Sequence, residues 1–275
     1  MTYATLMVPL QLGQANAALL QVAGDLAERF HAGIVGIAAC RPLQVVYRES
    51  PVPAHLFEED RKEIDRELKA AEVEFRTALQ SRASRLEWRP RVTVLPLADY
   101  LASEARSADL IVTGIDRNAP VDATRQLDHR DLVMQAGRPV LIVPAALART
   151  GFERVLVGWK ETAEARRAIV DALPFLAKAA HVTVAEVTTK EELAEARTRL
   201  ADVVGWLEHH GIKAQPVAAA AGGTHAQGLN MLAAEQKADL IVAGAYGHSR
   251  QREWVLGGVT SDLLLRADRC SLLSR

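Results

Sequence analysis

Residues 238–260 read Ala238-Asp-Leu-Ile-Val-Ala-Gly244-Ala-Tyr-Gly247-His248-Ser-Arg250-Gln-Arg-Glu-Trp254-Val-Leu-Gly257-Gly258-Val259-Thr260. The stretch opens as a short apolar run ending in glycine, the pattern of a buried parallel strand. It continues through glycines that let backbone N–H groups approach an anion with no Cβ in the way. The reading is a strand, a phosphate-holding loop, and a helix that starts after Gly258.

The opening of this stretch occurs twice. Ala108-Asp-Leu-Ile-Val-Thr-Gly114 matches Ala238-Asp-Leu-Ile-Val-Ala-Gly244 at an offset of 130 residues, so the chain is an internal duplication. After Gly114 the first copy has no glycine until Gly137, so only the second copy keeps the cradle.

The rest of the chain fits two α/β units. At 275 residues it is comfortable for two domains of roughly 140, each able to bury a core. Short apolar runs alternate with longer amphipathic ones, as in a parallel sheet covered by helices on both faces. Five strands are expected in each half. In the first they lie near Thr5–Pro9, Gly33–Ala39, Arg91–Leu95, Asp109–Gly114 and Pro139–Val143, with helices near Ala15–Phe30, Glu58–Arg85, Ala98–Ser107 and Arg130–Gln135. In the second they lie near Arg154–Gly158, His181–Val187, Ala214–Ala219, Asp239–Gly244 and Cys270–Leu273, with helices near Ala163–Ala179, Lys190–His210, His225–Gln236 and Val259–Arg266. The offset drifts from 149 at the first strand to 130 at the fourth, and the extra residues are placed in a proline-interrupted loop at Arg41–Asp60. That loop reads equally as a lid or partner surface and as a mobile insertion. The boundary is set in Ala145–Gly151, giving units 1–147 and 148–275.

Composition narrows the function. A net charge of −1, with no block of like charges, argues against nucleic-acid or membrane binding by bulk electrostatics. No basic leader and no apolar run near the roughly 18 residues of a membrane span are found, so a cytoplasmic location is expected. Cys40 and Cys270 lie near strand ends without CxxC or Cys/His spacing and read as buried thiols.

The spacing Gly244-x2-Gly247-x9-Gly257, followed by Gly258-Val259-Thr260, resembles the signature of the universal stress protein family. The resemblance extends over the whole length to tandem members of that family, and implies two Rossmann-like five-stranded units. It also implies that the glycine loops and a following hydroxyl hold the phosphates of ATP, while an Asp after the first strand meets the adenosine end. Carried across, Gly244, Gly247, Gly257 and Gly258 take the loop positions, next to Val259, and Thr260 is the hydroxyl nearest the phosphates. Two positions depart. The residue directly after Gly257 is Gly258 rather than Ser/Thr, so the hydroxyl contact comes from Thr260 or Ser261 or is absent. In place of the expected Asp stands Lys160, which either pairs with a phosphate or an acidic ligand or sits solvated. The first half departs further, with Asp116, Asp128 and neighbours where phosphate oxygens would need donors, and it reads as a degenerate copy with a structural or regulatory role. In this family the fifth strands of two units pair, which here implies an intramolecular pseudo-dimer through Pro139–Val143 and Cys270–Leu273; a homodimer is the alternative.

Ligands of open parallel sheets bind beyond the carboxyl ends of the strands. Gly158, Gly244 and the Gly222-Gly223-Thr224-His225 turn fall at such ends, and a helix after Gly258 would direct free N–H groups and its positive dipole end at a phosphate. Ordinary turns and helix caps are the competing reading of any one glycine. His248, Ser249 and Arg250 are further candidate donors, as is His225. Trp159 is either a base-stacking residue or part of the core, and Trp254 a loop staple or interface residue. Asp122, Asp128, His129 and Asp131 form a loose cluster whose spacing fits no metal template, so no metal is assigned. There is no Gly-x4-Gly-Lys-Ser/Thr motif, nucleophile elbow or HExxH pattern. The expectation is a stress-response protein that binds ATP, with or without Mg²⁺, and hydrolyses it slowly if at all. A nucleotide-independent module with an unidentified protein partner is the alternative from another class, and a slow ATP hydrolase or adenylate-handling enzyme a third.

Overall fold

The computed structural model describes residues 2–43, 54–116, 122–147, 151–245, 258–266 and 269–275. The strands are β1 Thr5–Leu10, β2 Gly33–Cys40, β3 Leu86–Val92, β4 Leu110–Ile115, β5 Val140–Pro144, β6 Arg154–Gly158, β7 His181–Thr188, β8 Ala214–Ala220, β9 Leu240–Gly244 and β10 Cys270–Ser274. They form one ten-stranded sheet in the order β3-β2-β1-β4-β5-β10-β9-β6-β7-β8. Within each half neighbouring strands are parallel. The halves join through an antiparallel seam, with Ser271, Leu272 and Leu273 opposite Ile142, Leu141 and Val140. That is the fifth-strand pairing expected from the resemblance. Because the seam is antiparallel, the carboxyl ends of the two halves lie on opposite edges of the sheet.

The helices are α1 Ala17–Phe30, α2 Ala54–Leu79, α3 Leu97–Glu104, α4 His129–Gln135, α5 Ala163–Leu176, α6 Leu193–His209, α7 His225–Glu235 and α8 Val259–Arg266, with a 3-10 turn at Ala105–Ser107. Strand alternation feeds two cores. Leu240 and Val242 join the layer containing residues of α1, α2, α5 and α6, whereas Ile241 and Ala243 join the layer containing residues of α3, α4, α7 and α8. Burial on both faces explains why β4 and β9 read as unbroken apolar runs rather than alternating ones.

Two elements differ from the sequence reading. The third strand is Leu86–Val92, not Arg91–Leu95, and α2 runs Ala54–Leu79 rather than Glu58–Arg85. As an edge strand β3 is only partly covered, so Glu87, Arg89, Pro90 and Arg91 are tolerated in it and the apolar signal is lost. Val94 and Leu95, which drew the strand assignment downstream, are exposed loop residues. Residues 54–60 of the expected Arg41–Asp60 loop open α2, and residues 44–53 lie outside the described part. The opposite edge strand, β8, also carries a proline, Pro216.

Beside the β5–β10 seam the halves share an aromatic cluster. Phe30 meets Tyr3 at 5.1 Å and Phe175 at 5.5 Å, both edge-on, and Phe152 meets Phe175 at 5.2 Å. The Tyr3 hydroxyl donates to the Asp171 carbonyl, and the Arg29 guanidinium to the carbonyls of Gly151 and Lys178. Both cysteines are buried, as expected, and burial pushes the Cys270 thiol up to about 12, which disfavours the reactive thiolate.

Candidate functional site

In the second half β6 lies between β7 and β9, so chain connections leave in opposite directions and a crevice opens between the ends of β6 and β9. Gly158 and Ala243 are direct neighbours there. Packing already requires small residues at this rim. A Cβ on Gly244 would lie 2.5 Å from the Ala165 amide nitrogen, because the first turn of α5 crosses the strand end. A Cβ on Gly158 would lie 3.0 Å from the Leu229 side chain.

Trp159 is only 8% exposed and packs in the α5/α6 layer, so of its two readings the core one describes its position. Its amide donates to the Ala185 carbonyl, while the buried indole Nε1 has no hydrogen-bond partner among the described residues. Lys160 is exposed. The Gly222–His225 turn has a local role: Thr224 and Gln227 form a capping box on α7, and a Cβ on Gly223 would strike Gln227 Oε1 at 2.4 Å. His225 is exposed on the first turn of that helix.

Gly258 directly precedes α8, and its carbonyl accepts from the Asp262 amide at 3.0 Å. Val259 follows, and Thr260 is 2% exposed. Ser261, partly exposed, accepts from Arg130 Nη2 of α4 at 3.2 Å. Asn230 on α7 donates to the Asp262 carboxylate and fixes the other flank. Thus Gly158, Gly244, Gly258, Val259 and Thr260 are placed, while Gly247, His248, Ser249, Arg250, Trp254 and Gly257 lie outside the described residues.

The first half shows what happens at the matching position. The offset of 130 aligns Asp128 with Gly258, and each directly precedes its helix, α4 or α8. Asp128 Oδ1 accepts from the amides of Arg130 at 2.8 Å and Asp131 at 3.1 Å, so the start of α4 is capped by its own carboxylate. His129 Nε2 sits 2.9 Å from the Gly114 carbonyl and 3.3 Å from Thr113 Oγ1, and Gln11 donates to the same carbonyl at 2.8 Å. Burial holds the His129 pKa below its ordinary value, against the opposing pull of the Gly114 hydrogen bond and the Asp128 charge. A nitrogen that contacts a carbonyl carries the proton, which assigns the Nε2–H tautomer.

The adjoining segment, Asp122–Leu127, closes this rim. The Arg125 side chain, 9% exposed, reaches Glu67 at 3.1 Å, Asp60 at 3.8 Å and Asp122 at 3.9 Å. The Arg41 amide donates to the Thr124 carbonyl, tying the segment to the end of β2. Arg125 and Leu127 join Pro9, Gln11, Ile37 and Leu97 around a cavity of ≈ 20 Å³, room for about one water and far too little for a nucleotide. Of the acidic residues singled out in the sequence, Asp122 thus pairs with Arg125 and Asp128 caps α4, and sequence reasoning missed Arg125, which also meets Asp60 and Glu67. Among the described residues no group of His, Cys, Asp and Glu could hold a metal, and no helix is long and apolar enough to cross a membrane.

Comparisons with known proteins place this geometry. Residues 151–273 match the universal stress protein family. No curated protein matches the chain. Among solved structures, a universal stress protein from Archaeoglobus fulgidus DSM 4304 is 15% identical, with a TM-score of 0.74 over 98% of this chain and 96% of that one. A functionally unknown protein from Pseudomonas aeruginosa PAO1 is 14% identical, with a TM-score of 0.63 over 99% and 92%. At such identities these two speak to the fold alone, and they cover both halves. Residues 151–273 thus match the universal stress protein family, and the fold of the whole chain is shared with such structures.

Proposed function

We propose that the second unit, residues 148–275, binds ATP or a related adenine nucleotide, with or without Mg²⁺, and that the first, residues 1–147, completes the body without binding one. The observation that carries this is the contrast between Asp128 and Gly258. At one backbone position the first half supplies a carboxylate that takes the amides opening α4, while the second has a glycine, with no side chain at that position. Helix N-terminal amides attract anions both through their orphan donors and through the helix dipole. With Gly258 in place, the phosphate of a ligand can do for α8 what Asp128 does for α4. The family motif Gly244-x2-Gly247-x9-Gly257 supports the same assignment.

On this reading the chain's own residues bind and orient. The amides of the glycine loop and of α8 hold phosphate oxygens, Thr260 or Ser261 contributes a hydroxyl, and the β6–β9 crevice takes the remainder of the nucleotide. Bound Mg²⁺ would supply charge neutralisation. Rapid hydrolysis also needs a positioned water and a metal holder, and neither is assigned, so the role is that of a cytoplasmic stress sensor or regulator with at most slow turnover.

The test is thermal unfolding with and without ATP and Mg²⁺, after assaying the denatured protein for co-purified nucleotide. A ligand at about 100 times its dissociation constant adds about 2.7 kcal/mol, which raises Tm by about 6 °C for a chain of this size. No shift and no retained nucleotide would replace this reading with the nucleotide-independent interaction module.

A further inference from the structure

We propose that Arg130, a residue of the first half, is a positioning residue for the anion site of the second, acting through Ser261. This rests on the nucleotide reading above. Arg130 lies in the first turn of α4, exposed, and its Nη2 donates to Ser261 Oγ at 3.2 Å in the first turn of α8. The contact crosses between halves, 131 residues apart in sequence. Asp128 holds the Arg130 backbone amide, so the helix end that carries this side chain is itself fixed.

The chemistry follows from which partner donates. A guanidinium has donors only and stays charged, so Ser261 Oγ must be the acceptor, which leaves the serine proton free to be donated onward. A hydroxyl that accepts from a cation is polarised toward stronger donation. Charge balance points the same way, because the side chain α8 brings to its own first turn, Asp262, is acidic. Its carboxylate is turned to Asn230 on the α7 flank. The cation on the α4 flank comes from the other half. Arg130 therefore raises affinity in step with ligand negative charge, so that the site favours a nucleoside triphosphate over a monophosphate, and the first half contributes to selectivity while holding no ligand of its own.

Titration calorimetry of the full chain with ATP, ADP and AMP, each with Mg²⁺, tests this in wild type, Arg130→Gln and Arg130→Lys. In Arg130→Gln, ATP affinity should fall roughly threefold to tenfold, a charged hydrogen bond discounted for exposure, and AMP affinity less than twofold. Arg130→Lys should restore part of the ATP affinity, and ligand-free Tm should stay within about 1 °C in both. Equal losses for all three nucleotides, or none, would overturn the assignment while leaving the nucleotide reading intact. Failure of the wild type to bind any of them would overturn the nucleotide reading itself and this assignment with it.

Discussion

Replacing Gly258 by Asp transplants the first half's cap onto the second, and it has two consequences of opposite sign. In the first half, Asp128 accepts two amides at the start of α4, at 2.8 and 3.1 Å. An aspartate at the aligned position can do the same for α8. Asp exceeds Gly at an N-cap by a few tenths of a kcal/mol, and a carboxylate at a helix N-terminus adds about 0.3–1 kcal/mol through the dipole. The ligand-free variant should therefore gain about 0.5–1 kcal/mol, or roughly 1–3 °C in Tm. For the ligand the same carboxylate is a competitor. One negative charge about 4 Å from a phosphate costs on the order of 4 kcal/mol at an effective dielectric of about 20, enough to weaken binding at least a hundredfold. Thermal unfolding of wild type and Gly258→Asp, each with and without ATP and Mg²⁺, reads both effects: a higher baseline and no nucleotide-induced shift. A variant that keeps the full shift would refute the placement of the anion at α8. Loss of the shift with a lowered baseline would refute the equivalence of the two helix starts.

Two further outcomes follow from packing and from charge. Gly244→Ala places a Cβ 2.5 Å from the Ala165 amide nitrogen and 2.6 Å from the Glu164 carbonyl carbon; since backbone must move, ligand-free stability in urea should fall by roughly 1–3 kcal/mol, and a variant as stable as wild type would refute the packing account of this glycine. His129 has a folded pKa lowered by burial, so as pH falls below about 6.5 the unfolded chain takes the proton first. The stability tied to neutral His129 is thus fully present above that value and is lost as pH drops through the folded pKa. Urea unfolding between pH 7 and pH 5 should show a weaker pH dependence in His129→Gln than in wild type, and identical slopes would refute the role given to its burial.

Strands buried on both faces announced themselves in the sequence. Leu110-Ile-Val and Leu240-Ile-Val carry the densest apolar signal because both core layers draw on them, and they fixed the duplication and the register of everything between. Leu86–Val92 was largely missed for the complementary reason: with one neighbour and partial cover it needs little apolar character, so Leu86–Pro90 went unassigned and the strand was set downstream at Arg91–Leu95. Gly244 and the Gly222–Gly223 pair were read as ligand-facing. Yet α5 crowds the first, and the Thr224–Gln227 capping box crowds Gly223. A glycine near a strand end satisfies either demand, and only the identity of the neighbouring atom separates them. Arg125 and Arg130 were invisible because their partners, Glu67 and Ser261, lie 58 and 131 residues away in sequence.

The difference between the halves can be stated as what completes each rim. Among the described residues of the first, the chain itself fills the rim: Asp128 caps the helix, His129 meets the Gly114 carbonyl, and Arg125 answers three carboxylates. Among its described residues, such a rim has its helix cap and strand-end contacts supplied by folding alone. A rim that leaves its cap to a ligand behaves differently, because any species bound only by the folded form adds to its stability in proportion to the logarithm of its concentration. On the proposed reading the order of α8 follows the nucleotide level while the order of α4 does not. The two helices are neighbours, bridged by Arg130 and Ser261, and the strands that follow them are paired in the seam. On that reading a change in α8 would be felt against α4 within the same molecule, on the opposite edge of the sheet from the first half's own strand ends.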